Sequence, residues 1–323
     1  MMLHKECYII RFFRMNIITK VIHTILNDRG KLGLFFLSYY CKFLSDKKHI
    51  ELYYKYSMGK KLNLGNPQTF NEKLNWLKLY DRNPLYTTLV DKYAVKAWVS
   101  ERIGKQYVIP TLGIWENYSE IDFDALPKGF VLKTTHGGGN VGVVVCPNKD
   151  TFDKEAARKK LEHSIKISGY DKHREWPYKN VERKIIAEQL LVDPCNQSLI
   201  DYKVHVFNGI PRFILVCRGR ENKSSMTDDF YDVDWHLMNC KRPGHPNSAN
   251  PMSKPILLGT LLELSKTLAG NIPFVRVDFY IVNGKIYFGE MTFFPAGGVK
   301  PFEPEDWDDK FGKWLSLPVK KIN

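Results

Sequence analysis

Two stretches of this chain place an Asn-Gly pair between runs of alternating apolar and polar residues: "SLIDYKVHVFNGIPRFILVCRGR" at 198–220 and "FVRVDFYIVNGKIYFGEMTFFP" at 274–295. Asn and Gly both tolerate positive φ, which tight hairpin turns require, so each stretch predicts two antiparallel strands. Helical patterns surround them. One spans 65–84, where Asn71 or Thr69 can cap, Glu72 follows, and Leu74, Leu77 and Leu79 form an apolar stripe. Others span 84–104, ending at Gly104; 149–168; and 255–270, ending at Gly270. Short strands are expected at 107–115 and 183–192 and on both sides of a glycine loop. Hairpins interleaved with helices point to an α+β fold rather than a doubly wound parallel sheet.

A chain of 323 residues, 44% hydrophobic and 13% aromatic, can bury the cores of about two domains. Its six Cys are scattered without a CxxC pair, which argues against a zinc site or a disulfide framework and favours a reduced, cytoplasmic setting. The net charge of +13 is uneven: residues 1–66 hold twelve Lys and Arg against four acids. Such a basic region suits nucleic acid, an anionic membrane surface or an anionic polymer. No nucleic-acid motif accompanies it, so no nucleic-acid partner is expected and peripheral membrane contact is favoured. The apolar stretch 8–26 is interrupted by Arg11, Arg14 and Lys20, and 32–44 by Lys42, so neither spans a bilayer. Both read as helices, either interfacial or packed on the body.

The glycine loop lies in "VLKTTHGGGNVGVVV" at 131–145. Its freedom lets backbone N–H groups approach phosphates, with Lys133 as a point charge. A plain hairpin turn is the other explanation. In the second hairpin, Arg276 and Asp278 share a strand face, as do Glu290 and Thr292. A strict two-residue turn at Asn283-Gly284 pairs Asp278 with Gly289 and sends Glu290 to the other side. One extra residue, such as a bulge at Gly284, pairs Asp278 with Glu290 instead. The two carboxylates then suit Mg²⁺ arriving with a nucleotide. Glu188, in "IIAEQLL", sits on a strand whose backbone could pair with an adenine edge.

Taken in order, "DK" at 91–92, "VLKTTHGGGNVG", "IIAEQLL", "DYKVHVFNG" and "VRVDFY…VNGKIYFGEMTFFPAGG" resemble an ATP-grasp enzyme. "KHREWPYKN" (172–180) and "DFYDVDW" (229–235) narrow the resemblance to the TupA-like ATP-grasp family of bacterial surface-polysaccharide loci, named for teichuronopeptide synthesis. It covers roughly 67–315. The implied organisation is a basic helical region at 1–66, a preceding segment at 67–125, and two ATP-grasp subdomains at 126–315 gripping ATP.

The resemblance also implies roles. Lys92 and Lys133 contact nucleotide phosphates, and His136, Gly137, Gly138, Gly139 and Asn140 close over them. Glu188 and Leu190 sit at the adenine hinge, with Asp201 and Lys203 near ribose and phosphate. Arg276 and Lys133 serve the transferring phosphoryl group, and Asp278, Glu290 and Thr292 face Mg²⁺. Thr292 stands where the family pattern has Asn, which leaves a second metal position in question. His173, Arg174, Trp176, Gly297 and Gly298 are candidates for the acceptor side, with core packing the rival explanation for Trp176 and Trp235. The implied reaction joins a carboxylate to an amine through an acyl phosphate, attaching an amino acid or peptide to a uronic acid of a surface polysaccharide. The expected setting is the cytoplasm, at the inner face of the membrane. Two alternatives stand beside it: a glycosyltransferase using "DVD" (232–234) with a nucleotide sugar, and a binding protein without turnover.

Overall fold

The computed structural model describes residues 29–40, 43–139, 141–193, 199–219 and 226–319. Asn140 and the whole of the 8–26 stretch lie outside the described residues. The chain divides into two compact units, Met1–Asn63 and Leu64–Asn323. In the first unit, α1 (Arg29–Tyr40) and α2 (Asp46–Met58) are described. The Ser45 side chain caps α2 by accepting from the Lys48 N–H, and Gly59 closes it in the left-handed region. Among the described residues no helix is long and apolar enough to cross a membrane.

The second unit carries two antiparallel sheets. β1 (Thr111–Trp115), β2 (Phe130–Thr134), β3 (Val143–Cys146) and β4 (Ile185–Gln189) form one, in the order β1-β4-β2-β3. β5 (Asp201–Phe207), β6 (Ile210–Arg218), β7 (Thr227–Asp232), β8 (Phe274–Val282) and β9 (Lys285–Thr292) form the other, in the order β7-β6-β5-β8-β9. The α+β reading therefore holds, with hairpins β5–β6 and β8–β9 turning at Asn208-Gly209 and Asn283-Gly284. All four turn residues have φ between 47° and 77°, as two-residue turns that match strand twist require.

Among the described residues seven α-helices accompany these sheets: α3 (Phe70–Tyr80), α4 (Leu85–Val90), α5 (Val95–Ile103), α6 (Lys154–Lys166), α7 (Gly169–His173), α8 (Leu258–Ala269) and α9 (Asp306–Trp314). Thr69 starts α3 through a reciprocal capping box with Glu72. Asn71, the other candidate cap, instead bonds Asp308 and the Lys300 carbonyl. Phe70 then meets Phe207, Phe274 and Phe311 at ring separations of 5.4, 4.9 and 6.1 Å, joining α3 and α9 to the larger sheet. The smaller sheet has its own core, in which Phe130, Leu132, Ile185 and Ala187 pack with Ala157 and Leu161 of α6.

The single helix expected over 84–104 is broken. The Asp91 side chain accepts the N–H groups of Tyr93 and Ala94 at 2.8 and 3.1 Å, a local competitor that ends one helix and starts the next. At this break the Lys92 N–H donates to the Thr135 carbonyl at 3.0 Å, fastening the helix pair to the glycine-loop hairpin.

Candidate functional site

Strand alternation sorts the side chains of both sheets. In β2, Phe130 and Leu132 face α6, so Val131 and Lys133 face the other way. In β4, Ile185 and Ala187 join that core, which leaves Ile186 and Glu188 beside Val131 and Lys133. The larger sheet turns Asp201, Lys203 and His205 of β5 to the same face as Tyr280, Asp278 and Arg276 of β8.

Glu290 joins this face through a bulge. Asp278 pairs with Glu290, while Phe279 pairs with Phe288, so Gly289 is the extra residue. The expected pairing is present, but its cause lies at Gly289 rather than at the turn, where Val282 pairs directly with Lys285. A Cβ at Gly289 would stand 3.1 Å from the Asp278 carbonyl oxygen, so glycine suits the close approach.

Two cavities meet these faces. One, of about 570 Å³, is lined by Ile109, Val131, Lys133, Val144, Glu188, Leu190, Asp201 and Tyr280 among others. Its mixture of aliphatic walls and a few polar groups suits a flat heteroaromatic ring with a polar substituent. Glu188 is buried between Lys133 at 2.5 Å and Lys96 at 2.6 Å. Burial alone would raise its carboxyl, but the two lysines outweigh that and hold it below the ordinary range. Lys96 was not anticipated, because a Lys within a helical run reads as a solvated side chain.

The other cavity, of about 440 Å³, is lined by Gly137, Gly138, Gly139, His173, Glu175, Tyr178, Lys203, Arg276, Glu290, Thr292 and Gly297 among others. Asp201 of the first cavity and Lys203 of the second lie 3.4 Å apart. Lys203 donates to Asp278 at 2.6 Å, and Arg276 grips both Asp278 oxygens at 2.6 Å and Glu290 at 3.0 Å. Lys92 lies 3.7 Å from Glu290 and also donates to the Gly137 carbonyl, linking the carboxylates to the glycine loop. Burial would raise Asp278, but Arg276 and Lys203 hold it below its usual range. Glu290 is lowered on balance too: burial raises it, Lys92 counters most strongly, and its side chain keeps 35% exposure. Thr292 Oγ1 is 3.4 Å from Glu290, placing its hydroxyl beside the carboxylate pair. Hard carboxylate oxygens among fixed cations are the chemistry that a magnesium polyphosphate requires.

The other anticipated residues divide between cavity and packing, and His136 lines the second cavity with the glycines that follow it. The His136 ring bonds the Ser164 and Ile167 carbonyls at 3.2 and 3.1 Å, so its side chain anchors the loop to the end of α6. Burial pushes its pKa down, favouring the neutral ring. Arg174 is buried in the left-handed region, its guanidinium 5.0 Å from the Tyr170 ring, and lines neither cavity. Trp176 stacks against Tyr86 at 5.9 Å and receives the Arg82 guanidinium at 5.4 Å, which agrees with packing rather than the acceptor side. Trp235 likewise stacks on Tyr231 at 4.3 Å. Gly298 is buried against α3, its carbonyl accepting from Asn75 at 2.7 Å, whereas Gly297 lines the second cavity. In the "DVD" segment, Asp232, Asp234 and His236 cluster, but none lines either cavity.

Glu175 and Tyr178 belong to the segment 172–180 that carries part of the family resemblance, whereas Lys78 has no motif around it. Lys78 is buried in α3 and donates to Asn75 Oδ1 at 3.0 Å and to the Gly297 carbonyl at 2.7 Å. Burial lowers its pKa to about 8, although Glu175 pulls the other way. The i, i+4 and i+3 spacing of Asn71, Asn75 and Lys78 on one face of α3 was the available signal.

Solved structures with similar architecture include D-alanine–D-alanine ligase from Bacillus anthracis, at 16% identity and a TM-score of 0.38, covering 64% of this chain and 57% of that one. D-Alanine–D-alanine ligase from Helicobacter pylori matches at 13% identity and a TM-score of 0.45, covering 79% of this chain and 68% of that one. D-Cycloserine synthetase DcsG matches at 14% identity and a TM-score of 0.40, covering 71% and 70%. This chain thus spans little more than half the length of the Bacillus anthracis ligase. No curated protein matches it. The family described as TupA-like ATPgrasp matches residues 72–316. That match takes in both sheets and both cavities, and the chain belongs to the TupA-like ATP-grasp family.

Proposed function

We propose that the protein is an ATP-dependent ligase that joins a carboxylate to an amine, attaching an amino acid or peptide to a uronic acid of a bacterial surface polysaccharide. The observation that carries this reading is the facing pair Asp278 and Glu290: Glu290 lines, with Lys203 and Arg276, a cavity edged by the glycine loop, Asp278 is buried behind them, and Lys92 lies 3.7 Å from Glu290. Bound Mg·ATP supplies the phosphoryl group that converts a carboxylate into an acyl phosphate. Asp278 and Glu290 hold the metal, while Lys203, Arg276 and Lys92 neutralise the phosphates. Lys133 and the backbone of 137–139 orient the phosphate chain, and the aliphatic cavity beside Leu190 takes the base. Catalysis then rests on placing reactants and balancing charge, which this type of transfer chiefly needs.

The remaining walls of the second cavity, at His173, Glu175 and Gly297, take the acceptor. We assign the reaction to the cytoplasm, with the basic region 1–66 near the anionic inner membrane face. The test is a screen of uronic acids and amino acids with Mg·ATP, read by mass spectrometry. ADP and phosphate are expected only when both substrates are present, together with a product one water lighter than their sum. Breakdown of a nucleotide sugar without ADP formation would overturn the reading in favour of glycosyl transfer.

A further inference from the structure

The second cavity holds two carboxylates with different surroundings. Glu290 is engaged by Arg276 at 3.0 Å and Lys92 at 3.7 Å. Glu175 follows α7, and its side chain is 12% exposed. Among the described residues its ion-pair partner is His173, whose Nδ1 lies 3.4 Å away. That imidazole is itself largely enclosed: a Cβ on Gly297 would stand 2.6 Å from its Cγ. Burial lowers its pKa; Glu175 pulls the other way, and Lys78 and Lys172 reinforce burial, so the balance stays below the ordinary value. The partner therefore brings no full positive charge at neutral pH. Lys78 is near enough to interact with Glu175, but its Nζ is spent on Asn75 Oδ1 and the Gly297 carbonyl. Lys172 and Tyr178 also line this wall; among the described residues Lys172 makes no ion pair with Glu175, and Tyr178 has its pKa raised by burial and then by Glu175, so it stays neutral. An enclosed carboxylate without a cation bonded to it is costly and creates a local negative field.

We propose that Glu175 is the docking point for the ammonium group of the acceptor amine, which makes it a specificity-determining residue. This deepens the ligase reading and rests on it for the word acceptor. The cation-binding property stands on the geometry alone. Glu175 and Glu290 line one cavity, so an ammonium held at the first lies in the same enclosure as a carboxylate activated at the second. Its neutral competitors, alcohols of the same size, gain nothing from the carboxylate.

The experiment is ligand-observed NMR on the full chain with Mg·ADP, using ethanolamine as the cationic probe and ethylene glycol as its neutral counterpart. Ethanolamine is expected to bind at least tenfold more tightly than ethylene glycol. Glu175→Gln should abolish that preference, while Glu175→Asp should retain part of it. Affinity for Mg·ADP serves as the folding control for each variant. Equal binding of the two probes, no binding of ethanolamine, or an unchanged preference in Glu175→Gln would each overturn the proposal. Ethanolamine binding that depends on Glu175, in a protein that never couples a carboxylate to ADP formation, would leave the cation site standing and remove the ligase reading.

Discussion

Asp278 faces Glu290 across the β8–β9 ladder because Gly289 sits unpaired between Glu290 and Phe288. The register of two carboxylates thus depends on one residue without a side chain. Gly289→Val, which crowds the Asp278 carbonyl and favours regular pairing of position 289 with Asp278, should turn Glu290 to the opposite face while the Asn283-Gly284 turn remains. The expected result is loss of Mn²⁺ binding, read by electron paramagnetic resonance with ADP present. Retained Mn²⁺ affinity would show that the bulge does not set the metal site.

Asp278 also balances two buried cations. Asp278→Asn leaves Arg276 and Lys203 without their shared counter-charge, and breaking such an enclosed network costs about 3 kcal/mol or more. Urea denaturation without ligand should show that loss, and steady-state ADP formation should fall at least a hundredfold. Unchanged stability would mean that water enters the cavity and screens these charges.

Glu188 links acid sensitivity to the first cavity. Its folded pKa lies below the ordinary value of 4.5. The unfolded chain therefore binds the proton first as pH falls. The stabilisation is complete above about pH 4.5 and is lost below it, as pH drops through the folded value. Glu188→Gln should flatten the stability curve in that acidic window. It should also weaken ADP binding severalfold, because Lys133 and Lys96 lose the group that fixes them. Melting curves from pH 6 down to pH 3 test the first effect and calorimetric titration tests the second.

Lys78 predicts the opposite end of the scale. Its folded pKa of about 8 lies below the ordinary 10.5, so from pH 8 to 10.5 the unfolded chain holds the extra proton. Stability from this group rises with pH across that window, is complete above it, and is lost as pH falls through 8. Lys78→Met should remove the slope, measured by urea melts between pH 7.5 and 10. A slope equal to that of the wild type would place Lys78 in water.

The sequence made the hairpins legible because alternation and Asn-Gly turns are local signals. It also identified the residues of the second cavity that come from β5, β8 and β9, since strand faces follow from counting. It could not locate the bulge, because a ladder with an extra residue at Gly284 or at Gly289 produces the same pairing of Asp278 with Glu290. The break at Asp91 was hidden for another reason: a side chain competing with the backbone leaves the apolar period of 84–104 intact. Lys78 and Lys96 read as solvated helix positions, and only tertiary packing turns them inward. Arg174 and Trp176 line neither cavity; the sequence left packing and binding open for Trp176 because aromatic and charged residues mark both kinds of surface alike.

The break at Asp91 has one more effect. Lys92 gives its backbone N–H to Thr135 of the small-sheet hairpin, while its side chain reaches the Gly137 carbonyl and approaches Glu290 of the large sheet. One residue is therefore a latch between the two walls. Any swing of the glycine loop away from β9 must pull this ammonium from Glu290 or from the Gly137 carbonyl, so opening of the loop and release of that carboxylate become a single mechanical event.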